Sequence, residues 1–110
     1  MTEVSLREPT FLILTALAAG PQHGYGIMTD VAEISAGRVR MRAGTLYAAL
    51  NRLATENLVE PDREEIVDAR FRRYYRLTPQ GAQRLEAEVA RMRSNTAVAA
   101  RRLGLLGGTA

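Results

Sequence analysis

Gly44-Thr45-Leu46-Tyr47-Ala48-Ala49-Leu50-Asn51-Arg52-Leu53 is the stretch on which the fold turns. At 3.6 residues per turn, Leu46, Leu50 and Leu53 fall on one stripe of a helix. Gly44, Thr45, Ala48, Asn51 and Arg52 fall on the opposite side, with Tyr47 at its flank. A solvated helix face normally carries Glu and Lys, whereas this one is small, hydroxylated or amide-bearing and holds a single arginine. Such a face can approach another surface closely. Arg38, Arg40 and Arg42 stand just before it, so that surface is expected to be anionic, and a DNA major groove is the anionic surface that admits a helix. Without those arginines, an ordinary core helix with an inert outside would account for the pattern equally well.

Working outward, the chain before this helix gives two more. Residues 10–19 form a nearly continuous apolar run led by Pro9, suited to a first helical turn, and closed by Gly20-Pro21, suited to a stop. Gln22-His23-Gly24-Tyr25-Gly26 reads as a tight linker whose glycines permit positive φ. Ile27, Met28, Val31, Ala32 and Ile34 then define a second helix ending near Ser35-Ala36-Gly37. The third helix spans residues 42–56. Two short helices followed by one whose outer face is kept clear make a helix-turn-helix.

After Asn57 the period changes. Residues 58–62 read as a short edge strand, since Pro61 is tolerated only at an edge. Residues 71–77 read as a second strand of aromatic and β-compatible residues, with a charged loop between the two. Alternation directs Phe71, Tyr75 and Leu77 to one face and Arg72, Tyr74 and Arg76 to the other, with Arg70 and Arg73 nearby. A hairpin carrying Arg and Tyr outward directly after such a helix is a wing. The blander alternative is that its arginines pair with Glu64, Glu65 and Asp68 on a solvated hairpin. Exposed pairs of that kind contribute little and do not account for the clustering.

Thr78-Pro79 opens a last helix over residues 79–103, with Thr as N-cap and Pro at the first position. Leu85, Val89, Met92, Thr96, Ala99 and Leu103 recur along it at alternating steps of four and three, the seam of a coiled coil. A partner helix is implied, and packing back on Leu12, Leu14 and Leu17 is expected as well. The expected architecture is mainly α with a small β-hairpin. Residues 1–78 form a winged helix-turn-helix, residues 79–103 a dimerisation helix packed on the same domain, and residues 104–110 a flexible tail.

Composition narrows the function. A chain of 110 residues with 46% hydrophobic content supports one small domain that gains from oligomerising. The net charge of +3 comes with fifteen arginines and no lysine. Arginine pairs bidentately with phosphate and guanine edges, although a bias in genomic base composition would favour Arg codons too. The absence of cysteine removes disulfides, thiolate metal sites and Cys nucleophiles. The amino terminus lacks an apolar core of signal-peptide length and no run approaches the ~20 apolar residues of a membrane span, so the expected location is the cytoplasm, with no membrane partner. His23 is the only histidine, which leaves neither a metal cluster nor a catalytic triad, and it is expected to hold the turn between the first two helices. No carboxylate pair stands in an apolar setting and no Gly-rich loop follows a strand. Enzyme action, cofactors and metals are therefore not expected.

Three segments then carry a family resemblance. Pro21-Gln22-His23-Gly24-Tyr25-Gly26-Ile27, the 44–53 stretch, and Arg73-Tyr74-Tyr75-Arg76-Leu77-Thr78-Pro79-Gln80-Gly81 closely resemble the PadR family of bacterial winged-helix transcriptional regulators. The likeness spans roughly residues 6–95 and fits the short subfamily with a single C-terminal helix. What the resemblance implies is a homodimer joined through the last helix and the amino-terminal helix, with the third helix in the major groove and the wing on the adjacent backbone. Arg40, Arg42, Gly44, Thr45, Tyr47, Ala48, Asn51, Arg52, Arg70, Arg72, Tyr74 and Arg76 are then the expected DNA-binding residues. Leu12 joins Leu85, Val89, Met92, Thr96, Ala99 and Leu103 in the expected dimer interface. A repressor acting on an inverted-repeat operator of double-stranded DNA is the implied function. Relatives that bind planar aromatic compounds do so in a tryptophan-lined pore. With no Trp and two Phe, this chain is expected to bind flat aromatics weakly or not at all, leaving the chemistry of any small-molecule effector open.

The sequence departs from the family at one point: many relatives carry Ser-Pro before the Gly-Thr-Leu-Tyr element, and here Arg42-Ala43 stand in those places. That weakens the cap and adds a positive charge near a helix start, which costs a few tenths of a kcal/mol unless a phosphate lies there. A rival from another class is a winged-helix protein-interaction module meeting an acidic partner. It would want an apolar or aromatic anchor on the third helix's outer face, and Ala48, Asn51 and Arg52 supply none.

Overall fold

The computed structural model of the chain describes residues 5–105. Its elements run α1 (Glu8–Ala18), β1 (Gln22–His23), α2 (Gly24–Ile34), α3 (Ala43–Thr55), β2 (Val59–Val67), β3 (Arg70–Leu77) and α4 (Pro79–Arg102). The three strands form one antiparallel sheet in the order β1-β3-β2.

The apolar run of α1 makes it the central helix. Thr10, Leu12, Ile13, Leu14, Ala16 and Leu17 are all buried, so it has almost no solvent face. Around it pack Ile27 and Val31 of α2, Leu46, Ala49, Leu50 and Leu53 of α3, and Val59 and Tyr75 of the sheet. The leucine stripe of α3 is therefore consumed by the core, as its spacing predicts.

The helix ends explain much of the chain's course. In α2, Gly37 N–H donates to the Ala32 carbonyl and Ala36 N–H to that of Glu33, with Ala36 at φ +54°. In α3, Leu58 N–H donates to Leu53 and Asn57 N–H to Ala54, with Asn57 at φ +63°. These are paired 6→1 and 5→2 bonds around a left-handed residue, and at α3 the accompanying apolar contact is between two buried leucines, Leu53 and Leu58. The same pattern closes α4, where Leu105 N–H meets Ala100 and Gly104 N–H meets Arg101. Gly104 and Leu105, assigned to a flexible tail from sequence, thus belong to a helix cap; residues 106–110 lie outside the described residues.

Four further expectations are corrected. The linker over 22–26 is a two-residue strand followed directly by helix. Gln22 and His23 pair with Tyr75 and Tyr74, partners about fifty residues away that no local pattern reveals. The charged loop of the wing is strand: β2 continues to Val67, placing Glu64 opposite Arg73 and Glu65 opposite Arg72, with an irregularity between Pro61 and Glu64 that absorbs the proline. The hairpin then turns on Asp68 and Ala69 alone, both at positive φ, a tight turn without the glycine that usually announces it. Phe71 has the strand parity of Tyr75 and Leu77 but is 62% exposed, because β3 runs out beyond the helices. Leu12, expected between copies, is buried in its own protomer's core.

α4 starts on this core and leaves it. Thr78 Oγ1 accepts from Gly81 N–H at 2.9 Å and donates to the Asn57 carbonyl at 2.7 Å, so its cap is also a clamp on the end of α3. A 24-residue helix is about 36 Å long. The radius of gyration of 16.5 Å exceeds the ~13 Å of a compact chain of this size, and the extents of 61 × 33 × 21 Å are elongated, because the far half of α4 projects.

At the docking point Gly81 is buried, and a Cβ there would fall well inside contact distance of the Leu58 carbonyl oxygen. Gly81→Ala must therefore displace backbone, and it should destabilise by about 1–3 kcal/mol or more. Thermal denaturation checks this, at roughly 4–8 °C of Tm per kcal/mol; an unchanged Tm would contradict the docking.

Candidate nucleic-acid interface

α3 keeps its two faces separate. Leu46, Ala49, Leu50 and Leu53 are buried, while Gly44, Thr45, Tyr47, Ala48, Asn51 and Arg52 are exposed. Arg42 is its N-cap, in extended conformation and making no side-chain cap, and the first turn carries no acid. The unpaired N–H groups of that turn thus face outward with the positive helix end and the Arg42 guanidinium. Arg40 is exposed with its guanidinium near Gly37 past the end of α2, whereas Arg38 pairs with Glu8 at 3.4 Å.

Gly44 has nothing within 4 Å of where a Cβ would sit, and its φ lies outside the left-handed range. Neither packing nor backbone conformation requires glycine at this position.

Tyr47 and Arg52 sit on the two flanks and are held differently. Arg52 reaches back to Thr10 Oγ1 at 3.2 Å, toward the start of α1. Tyr47 lays its ring against Gly24, where a Cβ would collide with the phenol. Gly24 was read from sequence as a tight-linker residue permitting positive φ; its φ lies outside that range and its role is close approach, and the signal available was a glycine opening a helix.

The wing faces this flank across a groove of about 440 Å³ lined by His23, Gly24, Tyr47, Arg70, Phe71 and Arg72 among others. β1 covers only Tyr74 and Tyr75, so the same edge of β3 is uncovered from Arg70 to Arg73 and borders the groove. Tyr74 is half-buried, its ring tilted at 57° against His23 with centroids 5.3 Å apart and covered by the Arg63 guanidinium 4.0 Å from its centroid.

The wing arginines divide into two groups. Arg73 pairs with Glu64 at 3.2 Å, Arg76 with Glu60 at 2.9 Å and Asp62 at 3.0 Å, and Arg63 with Asp62 and Glu65. The blander expectation, pairing of the strand arginines with Glu64, Glu65 and Asp68, thus holds for Arg73 alone, while Arg76 is tied at the wing's root by Glu60 and Asp62. Arg70 and Arg72 make no ion pair among the described residues. Exposed pairs are worth about 0–1 kcal/mol, so the free pair presents the stronger net positive field.

On α4 the expected seam is graded. Leu85 packs against the core, Met92 is half-buried, Val89 is 38% exposed and Leu103 72%, and Thr96 and Ala99 are exposed. Phe11 of α1, rather than Leu12, joins Val89, Met92, Thr96, Ala97 and Ala100 around an open groove of about 430 Å³. Glu88, which the apolar seam pattern passes over, is buried. It pairs with Arg91, and that hydrogen bond, with a further one from the Leu6 backbone, holds its carboxyl below the usual range.

A helix pair leading into an exposed third helix, followed by a hairpin and backed by a third strand, defines a winged helix-turn-helix. Residues 13–87 match the transcriptional regulator PadR-like family, and the chain belongs to that family. A PadR family transcription regulator from hypervirulent Clostridium difficile superposes with a TM-score of 0.74 at 27% identity, over 88% of this chain and 99% of that one. Bacillus subtilis PadR, solved in complex with operator DNA, gives 0.66 at 25% identity over 76% of this chain and 47% of that one. A 37.1 kDa protein of transposon TN4556 in Streptomyces fradiae is 41% identical over 81 residues, 74% of this chain. The chain spans only 22% of that relative's length.

Burial, then the nearby Arg72 charge, pushes the His23 imidazole below the ordinary histidine range, with Glu65 opposing. The unfolded chain, with a pKa of about 6.5, therefore binds the proton more readily than the folded one. Stability should be constant above that value and fall as pH drops through it toward the folded value. Urea midpoints at pH 7.5 and 5.5 should differ in that direction, and His23→Gln should shrink the difference; an equal slope in the variant would remove His23 as its source.

Proposed function

We propose that this chain is a sequence-specific DNA-binding regulator, a repressor that occupies an inverted-repeat operator as a homodimer. α3 enters the major groove through Gly44, Thr45, Ala48 and Asn51. Arg40, Arg42, Tyr47 and Arg52 hold phosphates on either side, and Arg70, Arg72 and Tyr74 lie along the adjacent backbone. The observation that carries this is Gly44. The fold does not need a glycine there, and a helix start stripped of side chain suits close approach of backbone to a ligand. The Bacillus subtilis relative bound to operator DNA supports the same use of the scaffold.

Selection of bound fragments from random duplex should return a palindromic consensus. Against it, Thr45→Ala or Asn51→Ala should change which base is preferred, and Arg72→Ala should weaken binding to every sequence and lower the salt slope by about one phosphate. Arg76→Ala should do less, its charge being held by Glu60 and Asp62. Gly44→Ala should keep or raise Tm, by up to about 1 kcal/mol of helix propensity, while weakening operator binding. A Gly44→Ala variant with unimpaired binding would separate that face from the DNA.

A single domain presents one helix to one groove, too small a site to be selected from a genome. Two copies joined along Val89, Met92, Thr96, Ala99 and Leu103, with Phe11 completing the patch, place half-sites about 34–36 Å apart. Val89→Glu with Met92→Glu should yield folded monomers by sedimentation and abolish operator binding. A double variant that stays dimeric, or a monomer with the original affinity, would refute this assembly.

A further inference from the structure

The tip of the wing carries an apolar pair that the core does not use. Ile66 and Phe71 are directly opposed across β2 and β3, and they stand 76% and 62% exposed. Arg70 and Arg72 flank Phe71 in sequence and make no ion pair among the described residues, and all three border the groove that Tyr47 of α3 shares. The outermost part of the hairpin therefore carries an exposed apolar pair on one face, with Arg70 and Arg72 alternating onto the other. Six strand steps lead from the buried Tyr75 to Ala69 of the turn, a reach of about 20 Å at 3.3 Å per strand residue, and Phe71 stands four steps, about 13 Å, along it. Along a duplex, one groove follows the other after about half a helical turn, roughly 17 Å. A wing of this length spans from the groove holding α3 to the next.

We propose that Phe71, backed by Ile66, is a wedge that enters the minor groove beside each half-site and opens a base step, so that operators are selected by deformability at positions no hydrogen bond reads. This inference rests on the DNA-binding function proposed above. Large apolar side chains that enter a minor groove unstack a step and bend the duplex, and flexible pyrimidine–purine steps yield most readily. The flanking arginines supply the attraction, since a narrow minor groove concentrates negative potential. Asp68 in the turn is the one unpaired acid there among the described residues, against two free arginines, which leaves the tip net positive. A protein or lipid partner would gain little from that charge pattern unless acidic.

The test compares the full chain with Phe71→Thr, which keeps strand propensity, and Phe71→Leu, which keeps an apolar wedge. Each is measured on the selected operator and on random duplex, with 2-aminopurine placed at the flanking steps and with end-to-end fluorescence transfer reporting the bend. Wild type should raise the 2-aminopurine signal and bend the operator. Phe71→Thr should lose both and bind operator about tenfold more weakly, with binding to random duplex unchanged and the flanking preference flattened in a repeated selection. Phe71→Leu should retain most of each. A Phe71→Thr variant that still unstacks and bends, or that loses affinity equally for operator and random duplex, overturns the wedge. A wild-type chain with no preference among duplexes overturns the underlying DNA-binding function and the wedge with it.

Discussion

The structure depends on one junction, where the first turn of α4 sits on the end of α3. Thr78 Oγ1 holds both, donating to the Asn57 carbonyl and accepting from Gly81 N–H, while Thr78 N–H donates to Leu58 and Asn57 Nδ2 donates to Gln80. Asn57 is itself the left-handed residue that ends α3. A side chain at position 81 would push the two backbones apart, so glycine is what allows the contact. Through this junction the sheet root, the exposed third helix and the long helix become one body. The angle at which α4 leaves the domain is therefore fixed relative to α3. Under the proposed assembly the same angle sets the separation of two α3 helices, and no flexible linker intervenes.

What was legible in the sequence was whatever repeats locally. The 3.6-residue stripe of Leu46, Leu50 and Leu53, the Pro9 and Gly20-Pro21 limits of α1, and the Thr78-Pro79 start of α4 all come from interactions within a few residues. What escaped was long-range. Gln22 and His23 are strand only because Tyr74 and Tyr75 supply partners, and two residues carry no period. Glu64 and Glu65 read as loop because charge is common in loops, yet here the charges face arginines across the ladder. Phe71 was misplaced for a related reason: parity assigns a face, but only the extent of the helical layer decides whether that face is covered. In the proposed interface the residue types of α3 were readable, whereas the division of wing arginines into paired and unpaired required the register.

That division changes how the surface is read. Counted by sequence, the segment from Ala69 to Arg76 holds four arginines and no acid. In the structure Arg73 and Arg76 are neutralised by Glu64, Glu60 and Asp62, so the positive field concentrates at Arg70 and Arg72, on the uncovered edge of β3. The acids of β2 offset the charge at the root of the hairpin, while its tip stays positive. His23 lies between these regions. Its partial burial and then its proximity to Arg72 favour the neutral ring, against Glu65, so that β1 adds no further charge beside the free arginines.

α4 shows how one helix can serve two demands. Its first turns are committed inward: Gly81 against Leu58, Leu85 against the core, and Glu88 holding the chain ahead of α1 through the Leu6 backbone while pairing with Arg91. A buried carboxylate loses more when left unpaired than it gains when paired. Glu88 therefore acts as a constraint on where the amino-terminal segment lies, more than as a source of stability. That segment leads directly into Glu8 and Phe11, and Phe11 borders the open groove along Val89 and Met92. The apolar surface of α4 thus begins where the buried ion pair ends, with Phe11, anchored by the buried run of α1, beside it. The inward half of α4 in this way shapes the patch that its outward half presents to a second copy in the proposed dimer.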